Sequence, residues 1–311
     1  MLVTADRVFG GHLYVRNGKI AAISDDGTLP AREELDAAGL YVLPGMLDCH
    51  AHINDPGFTW REDLPHASEA AAVGGVTTLI DMPLQNTPPL TSADAFANKL
   101  AVFEGRSLVD YALWGGLVTD NTAELAGMDA AGAVGKAFIA PVSLGYSSVD
   151  MGLAREALFR IKAFGGLAGF HCEDHALICA GEAKAKAGGG TRRAFLDSRP
   201  VVAEVIATAN VIELARETGA RVHICHVSHP RVAELVRRAQ ADGLSVTGET
   251  CPHYLVFTEE NLLLCGTVFK CAPPLRTAEA RDGLWEYVLD GTLSCIGSDH
   301  SPSRPDEKDE A

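Results

Sequence analysis

Two histidines spaced two residues apart, His50 and His52, close the apolar run Leu47 to His52. On an extended strand, residues i and i+2 point to the same face, so both imidazoles can reach one metal ion. Further along, His171, His226 and Asp299 each close a short apolar run, and Lys136 lies inside Ala133-Val134-Gly135-Lys136-Ala137-Phe138-Ile139. An unpaired ammonium on so apolar a strand is costly. One account is a side chain that snorkels from the strand end. The other is an amine carboxylated by carbon dioxide to a carbamate, an anion able to bridge two cations; the four histidines and the aspartate favour this second account. Neutral imidazoles and carboxylate-type oxygens suit Zn²⁺, and two metal ions can lower the pKa of a bridging water until hydroxide exists near neutrality. The chemistry expected is hydrolysis of an amide C–N bond, in which hydroxide attacks the polarised carbonyl and Asp299 carries the proton to the leaving nitrogen.

Other nucleophilic or nucleotide-binding devices find no support. No Gly-x-Ser-x-Gly elbow is present, no Gly-x-Gly-x-x-Gly follows an early strand, and Gly135-Lys136 lacks the partners of a phosphate loop. His12, His66 and His175 stand alone and read as surface or satisfied core residues. His229, His253 and His300 sit beside the motifs; His253, in Glu249-Thr250-Cys251-Pro252-His253-Tyr254, either orients substrate or caps a strand.

The elements that must position these residues follow from periodicity. Short apolar runs predict eight strands: Leu47 to His52, Thr77 to Met82, Tyr111 to Val118, Ala133 to Ile139, Leu167 to Cys172, Arg221 to His226, Ser245 to Thr250 and Leu293 to Asp299. Between them, Leu64 to Val73, Leu153 to Ala163, Ala203 to Thr218 and Arg231 to Ala241 have helical spacing. Strands alternating with helices predict a (β/α)8 TIM-type barrel, in which the carboxyl ends of all strands face one mouth. Before it, Leu13-Tyr14-Val15, the turn Asn17-Gly18 and Ile20 to Ile23 predict a small N-terminal β-sandwich unit. The expected division is residues 1–44 and 45–311. Ala183 to Gly190 reads as a loop or a helix end, and Arg304 to Ala311 as a charged, solvated tail.

Composition agrees with a compact soluble protein. The 311 residues are 47% hydrophobic and 22% charged, with a mean hydropathy of +0.08, which excludes disorder and coiled coil. A net charge of −15 argues against nucleic acid and anionic membranes as partners. No apolar run reaches the length of a membrane span and no secretory signal opens the chain. Eight scattered cysteines without a Cys-x-x-Cys pair read as reduced thiols of a cytoplasmic protein.

The motifs resemble the amidohydrolase superfamily and, within it, the cyclic amidohydrolases that include allantoinases, hydantoinases and dihydroorotases. The resemblance runs through nearly the whole chain: Tyr41-Val42-Leu43-Pro44-Gly45-Met46-Leu47-Asp48, His50-Ala51-His52, Gly74-Gly75-Val76-Thr77-Thr78, His171-Cys172-Glu173, Ser198-Arg199-Pro200, His226-Val227-Ser228, Cys271-Ala272-Pro273-Pro274 and Gly297-Ser298-Asp299-His300-Ser301-Pro302. It implies two zinc ions per chain. His50, His52 and Asp299 would hold the more buried ion and His171 and His226 the other, with carboxylated Lys136 bridging both. Dihydroorotases place an Arg where Asn54 stands, and hydantoinases place a Tyr after the bridging Lys, where this chain reads Ala140-Pro141-Val142-Ser143. Asp81-Met82-Pro83-Leu84, Trp114-Gly115-Gly116-Leu117-Val118 and Phe269-Lys270-Cys271-Ala272-Pro273-Pro274-Leu275-Arg276 are similar to allantoinase segments.

By that resemblance the substrate would be allantoin, a small cyclic ureide opened to allantoate in purine breakdown, and Asn54, His253 and Ser298 would contact it. Asn54 equally fits an Asx-type turn before Pro56. A homo-oligomer is expected. A hydantoinase, dihydropyrimidinase or dihydroorotase is the alternative, and a non-catalytic barrel homologue or inactive fragment the second. Family members continue well beyond the eighth strand, so the last barrel helix and half of the small domain are expected to be missing from this chain.

Overall fold

The computed structural model describes residues 1–132 and 147–308, together with the backbone course of 134–138. The chain divides into two compact units, Met1–Met46 and Leu47–Ala311.

In the first unit, β1 (Leu2–Val3) pairs antiparallel with β2 (Val8–Phe9), and β3 (His12–Arg16) with β4 (Lys19–Ser24). The β3–β4 turn is Asn17-Gly18, with φ of 54° and 72°. Positive φ at both central residues matches the twist of a two-residue hairpin, which explains why Asn-Gly sits there. The unit closes on itself through Val3 N–H, which donates to Val42 O at 2.9 Å.

The second unit is built on β5 (Met46–Ala51), β6 (Val76–Asp81), β7 (Asp110–Leu117), β8 (Val134–Phe138), β9 (Leu167–His171), β10 (Arg221–Ile224), β11 (Val246–Thr250) and β12 (Cys295–Ile296). They form one eight-stranded sheet in sequential order. The ring closes where Ala51 bridges His300 in parallel, with His52 N–H donating to His300 O at 2.7 Å and Asp299 N–H to His50 O at 2.8 Å. This is the expected (β/α)8 barrel.

Helices α1 (Leu64–Val73), α2 (Ala93–Phe103), α3 (Leu125–Ala130), α4 (Met151–Phe164), α5 (His175–Ala187), α6 (Arg192–Ser198), α7 (Val201–Thr218), α8 (Pro230–Ala241), α9 (Pro252–Val256), α10 (Glu259–Cys265) and α11 (Ala278–Leu289) connect the strands. Their ends carry local signals. The Asp150 carboxylate accepts from Leu153 N–H at the start of α4, and Gly165 ends that helix at φ 76°, a left-handed conformation that glycine adopts without strain. The stretch Ala183 to Gly190 is the last turn of α5 followed by its glycine stop. The core lies between strands and helices: Phe170, Val222 and Ile224 from the sheet meet Leu158, Ala207, Val211 and Val236 from α4, α7 and α8.

Two strands end two or more residues earlier than the sequence predicts. β10 stops at Ile224 and β12 at Ile296, leaving His226 and Asp299 beyond the ladder with φ of 39° and 50°. Non-glycine residues seldom adopt positive φ, and such strain gathers where side chains are aimed for function. A second constraint lies beneath β5 and β6. Asp81 and Lys99 form a fully buried ion pair; the Asp81 carboxylate also accepts from Ile53 N–H at 2.6 Å, and the Lys99 ammonium donates to Ile53 O at 2.9 Å. Burial pushes Asp81 up to about 6 against the pull of Lys99. The pair fixes the segment that leads out of His52.

Candidate active site

Four histidines and an aspartate meet at the carboxyl end of the barrel. His50 and His52 leave β5 on one face, and their Nε2 atoms lie 3.1 and 3.2 Å from Asp299 Oδ1. Across the mouth, His171 Nδ1, from the end of β9, lies 2.9 Å from His226 Nε2. The His50 and His226 rings are 5.3 Å apart between centroids, and His50, His226 and Asp299 each offer a ligand atom within 4.8 Å of the others. Burial would raise the Asp299 carboxyl, but His50 and His52 hold it well below the usual carboxylate range. Imidazoles converging on an ionised carboxylate form a donor set that can hold a cation such as zinc.

Lys136 lies on β8, its backbone paired with Gly116 on β7 and Gly169 on β9. Its side chain, and the segment Ala140-Pro141-Val142-Ser143, lie outside the described residues.

Two carboxylates at this site were not singled out from the sequence. Glu249, on β11, bonds His50 Nδ1, and Glu173 Oε2 bonds His171 Nε2 at 2.9 Å. Each carboxylate fixes the tautomer and orientation of its imidazole, the arrangement that steadies metal-binding histidines. Burial opposes ionisation of both, yet His50 and His223 keep Glu249 ionised and His171 and Arg199 keep Glu173 so. The sequence did contain a signal: Glu173 stands two residues after His171, and Glu249 opens the motif that contains His253.

A cavity of about 1210 Å³ opens above the cluster, lined by His50, His171, His226, His253 and Asp299 and by Phe195 on its wall. His253 faces it with burial holding its imidazole below the usual range, and among the described residues its Nε2 has no hydrogen-bond partner. Asn54 is fully buried, and its side-chain amide likewise has no partner among the described residues. Ser298 is committed to backbone: its hydroxyl donates to His50 O at 3.3 Å and accepts from His300 N–H at 2.9 Å. His300 pairs with Glu62 at 2.7 Å, and His229 caps α8 by accepting from Arg231 N–H at 3.1 Å.

The closed parallel barrel and the imidazole and carboxylate donors at its mouth define an amidohydrolase. Within that class the chain belongs to the dihydroorotase-like family, whose model matches residues 39–231. It is a hydrolase acting on cyclic amides. Similar curated proteins are the allantoinase of Deinococcus radiodurans, 38% identical over 99% of this chain and 69% of that protein, and the allantoinase of Streptomyces avermitilis, 40% identical over the same shares. The allantoinase of Escherichia coli K12 is 39% identical over 95% of this chain and 67% of its own length. Among solved structures, the L-hydantoinase (dihydropyrimidinase) of Arthrobacter aurescens superposes with a TM-score of 0.94 at 37% identity, covering 99% of this chain and 69% of that one. A dihydropyrimidinase of Brevibacillus agri does so with a TM-score of 0.88 at 28% identity, covering 98% and 68%. Among the described residues, no helix is long and apolar enough to cross a membrane.

Proposed function

We propose that this protein opens allantoin to allantoate by hydrolysis of a ring amide, a step of purine breakdown, at a centre of two zinc ions. The observation that carries this reading is the convergence of His50, His226 and Asp299 at the barrel mouth, with His52 and His171 beside them. His50, His52 and Asp299 would hold one ion and His171 and His226 the other, with Lys136, carboxylated by carbon dioxide, between them. Zinc, when bound, lowers the pKa of water and polarises an amide carbonyl. Asp299, kept ionised, accepts the proton of the attacking water and delivers it to the departing ring nitrogen. Glu249 and Glu173 hold the imidazoles in register.

His253 would bond the ureide, a reading supported by its position on the cavity wall and its unmatched ring nitrogen. Asn54 supplies an unmatched buried amide two residues after His52 but does not line the cavity, and Ser298 acts by bracing His50 and His300 through their backbones. Relatives at about 40% identity that are allantoinases support the choice of ring. Residues 1–44 are read as part of a small β domain and 45–311 as the catalytic barrel. Eight free cysteines fit a cytoplasmic enzyme, and exposed apolar side chains such as Leu264 and Val268 fit a homo-oligomer.

Metal analysis combined with turnover tests the reading. The purified chain supplied with zinc and bicarbonate is expected to retain about two zinc ions per chain and to add water to allantoin. Lys136→Ala should lose both metal and turnover while keeping the circular dichroism of the parent. A folded parent chain that retains no metal and leaves allantoin intact would refute it.

A further inference from the structure

Beside His50 lies a second group of metal-type donors, of which the hydrolytic reading uses only Glu249. Cys49 on β5 and Cys295 on β12 bring their Sγ atoms to 3.5 Å, and Cys49 Sγ lies 3.1 Å from Glu249 Oε2. Glu249 and Cys295 are register partners on adjacent parallel strands, so their side chains leave the sheet side by side. The three ligand atoms all lie within 4.8 Å of one another. His223 Nε2 stands 3.3 Å from the same Glu249 oxygen, its Nδ1 being engaged with Thr247 Oγ1 at 2.8 Å. Gly297 keeps the space open: a Cβ there would stand 3.3 Å from Glu249 Oε2, 3.4 Å from Cys49 Sγ and only 2.7 Å from His50 Cβ.

We infer that Cys49, Cys295 and Glu249 form a thiolate cation site, separate from the mouth, that takes a soft divalent ion such as zinc or cadmium. With Zn–S near 2.3 Å and Zn–O near 2.0 to 2.2 Å, the edges of a tetrahedron are about 3.8 Å for S to S and about 3.6 Å for S to O. The observed separations of 3.5 and 3.1 Å fall slightly inside those edges, so the donors move outward by a few tenths of an ångström on binding. His223 shares the Glu249 oxygen but lies outside the set of ligand atoms within 4.8 Å of one another, which leaves the fourth position to water. Binding releases the two thiol protons to solvent, and the dication then offsets most of the charge of two thiolates and a carboxylate. Soft thiolate ligands select such ions over magnesium or calcium. Through Glu249, whose other oxygen bonds His50, the buried ion would brace a histidine of the mouth.

Cobalt(II) titrated into the metal-stripped, reduced full chain tests this site. The histidines and Asp299 of the mouth offer only nitrogen and oxygen, but Cys271 lines the cavity and Cys225 stands near His50 and Glu249, so a thiolate-to-cobalt charge-transfer band is assigned to this group by its dependence on Cys49 and Cys295. The band is expected in the parent and in His226→Asn, and expected to vanish in Cys49→Ser and in Cys295→Ser, with folding followed by circular dichroism. Cadmium-113 NMR of the unmodified chain supplies a readout that needs no variant, through the deshielding that sulfur ligands impose. Absence of the band and of a sulfur-shifted cadmium resonance in the parent would overturn the inference. So would a band of equal strength in both serine variants, which would assign it to other thiols such as exposed Cys179 and Cys265. Loss of allantoin turnover with the band intact would count against the proposed function and leave this site standing.

Discussion

At the scale of single residues, the imidazoles at the mouth are held from behind by carboxylates, and that support makes a definite demand. Glu173 bonds His171 and is itself gripped by Arg199, which also reaches Glu182 at 2.8 Å. Glu173→Gln keeps the shape but removes the charge, so metal affinity measured by chelator competition should fall by about 10–100-fold. An unchanged affinity would mean that the contact only fills space. The histidines and the aspartate were legible in the sequence because a His-x-His pair and single residues at strand ends are local patterns. Glu249 was not legible as a partner of His50, since the two are separated by 199 positions and meet only when the ring closes. Ser298 illustrates the converse: its motif marks the neighbourhood correctly, but its hydroxyl serves backbone groups.

At the scale of elements, strands and helices were read well where apolar periodicity was unbroken, as in β9 and α1, and less well where the chain leaves the ladder. His226 and Asp299 adopt positive φ beyond the ends of β10 and β12, a choice made by the mouth and not by local propensity. The segment after His52 depends on the buried Asp81–Lys99 pair. Lys99→Met leaves an uncompensated buried carboxylate and should cost about 3–5 kcal/mol in urea unfolding, with Asp81→Asn added to Lys99→Met recovering part of the loss. A change within about 0.5 kcal/mol would contradict this role.

Helix α8 carries a pH dependence of its own. Its N-cap acceptor is the neutral His229 ring, whose pKa burial and the nearby Arg276 guanidinium push down to about 4. Between that value and an unfolded pKa of about 6.5, the unfolded chain binds more protons, so this contribution is present above about pH 6.5 and is lost as pH falls through about 4. The cap is worth about 1 kcal/mol. His229→Asn, which offers an oxygen that does not titrate, should flatten the acid limb of the stability profile. An acid limb identical to that of the parent would place the loss elsewhere.

At the scale of the whole molecule, the chain spans about two thirds of the length of the relatives it matches, 69% and 67% of the first two, and carries the eight-stranded ring with the donors at its mouth. The fold class was legible because eight alternations of strand and helix leave few other closed arrangements. The choice of ring depends instead on a few side chains around a cavity of about 1210 Å³, and the structural neighbours include hydantoinases as well. The most direct measurement is mass spectrometry of the products formed when the zinc-loaded, bicarbonate-supplied chain meets allantoin, hydantoin, dihydrouracil and dihydroorotate together. The account predicts the gain of one water on allantoin alone. Gain on hydantoin or dihydrouracil with allantoin untouched would contradict the proposed substrate, and no gain on any of the four would contradict the assignment of this mouth as a working hydrolytic centre.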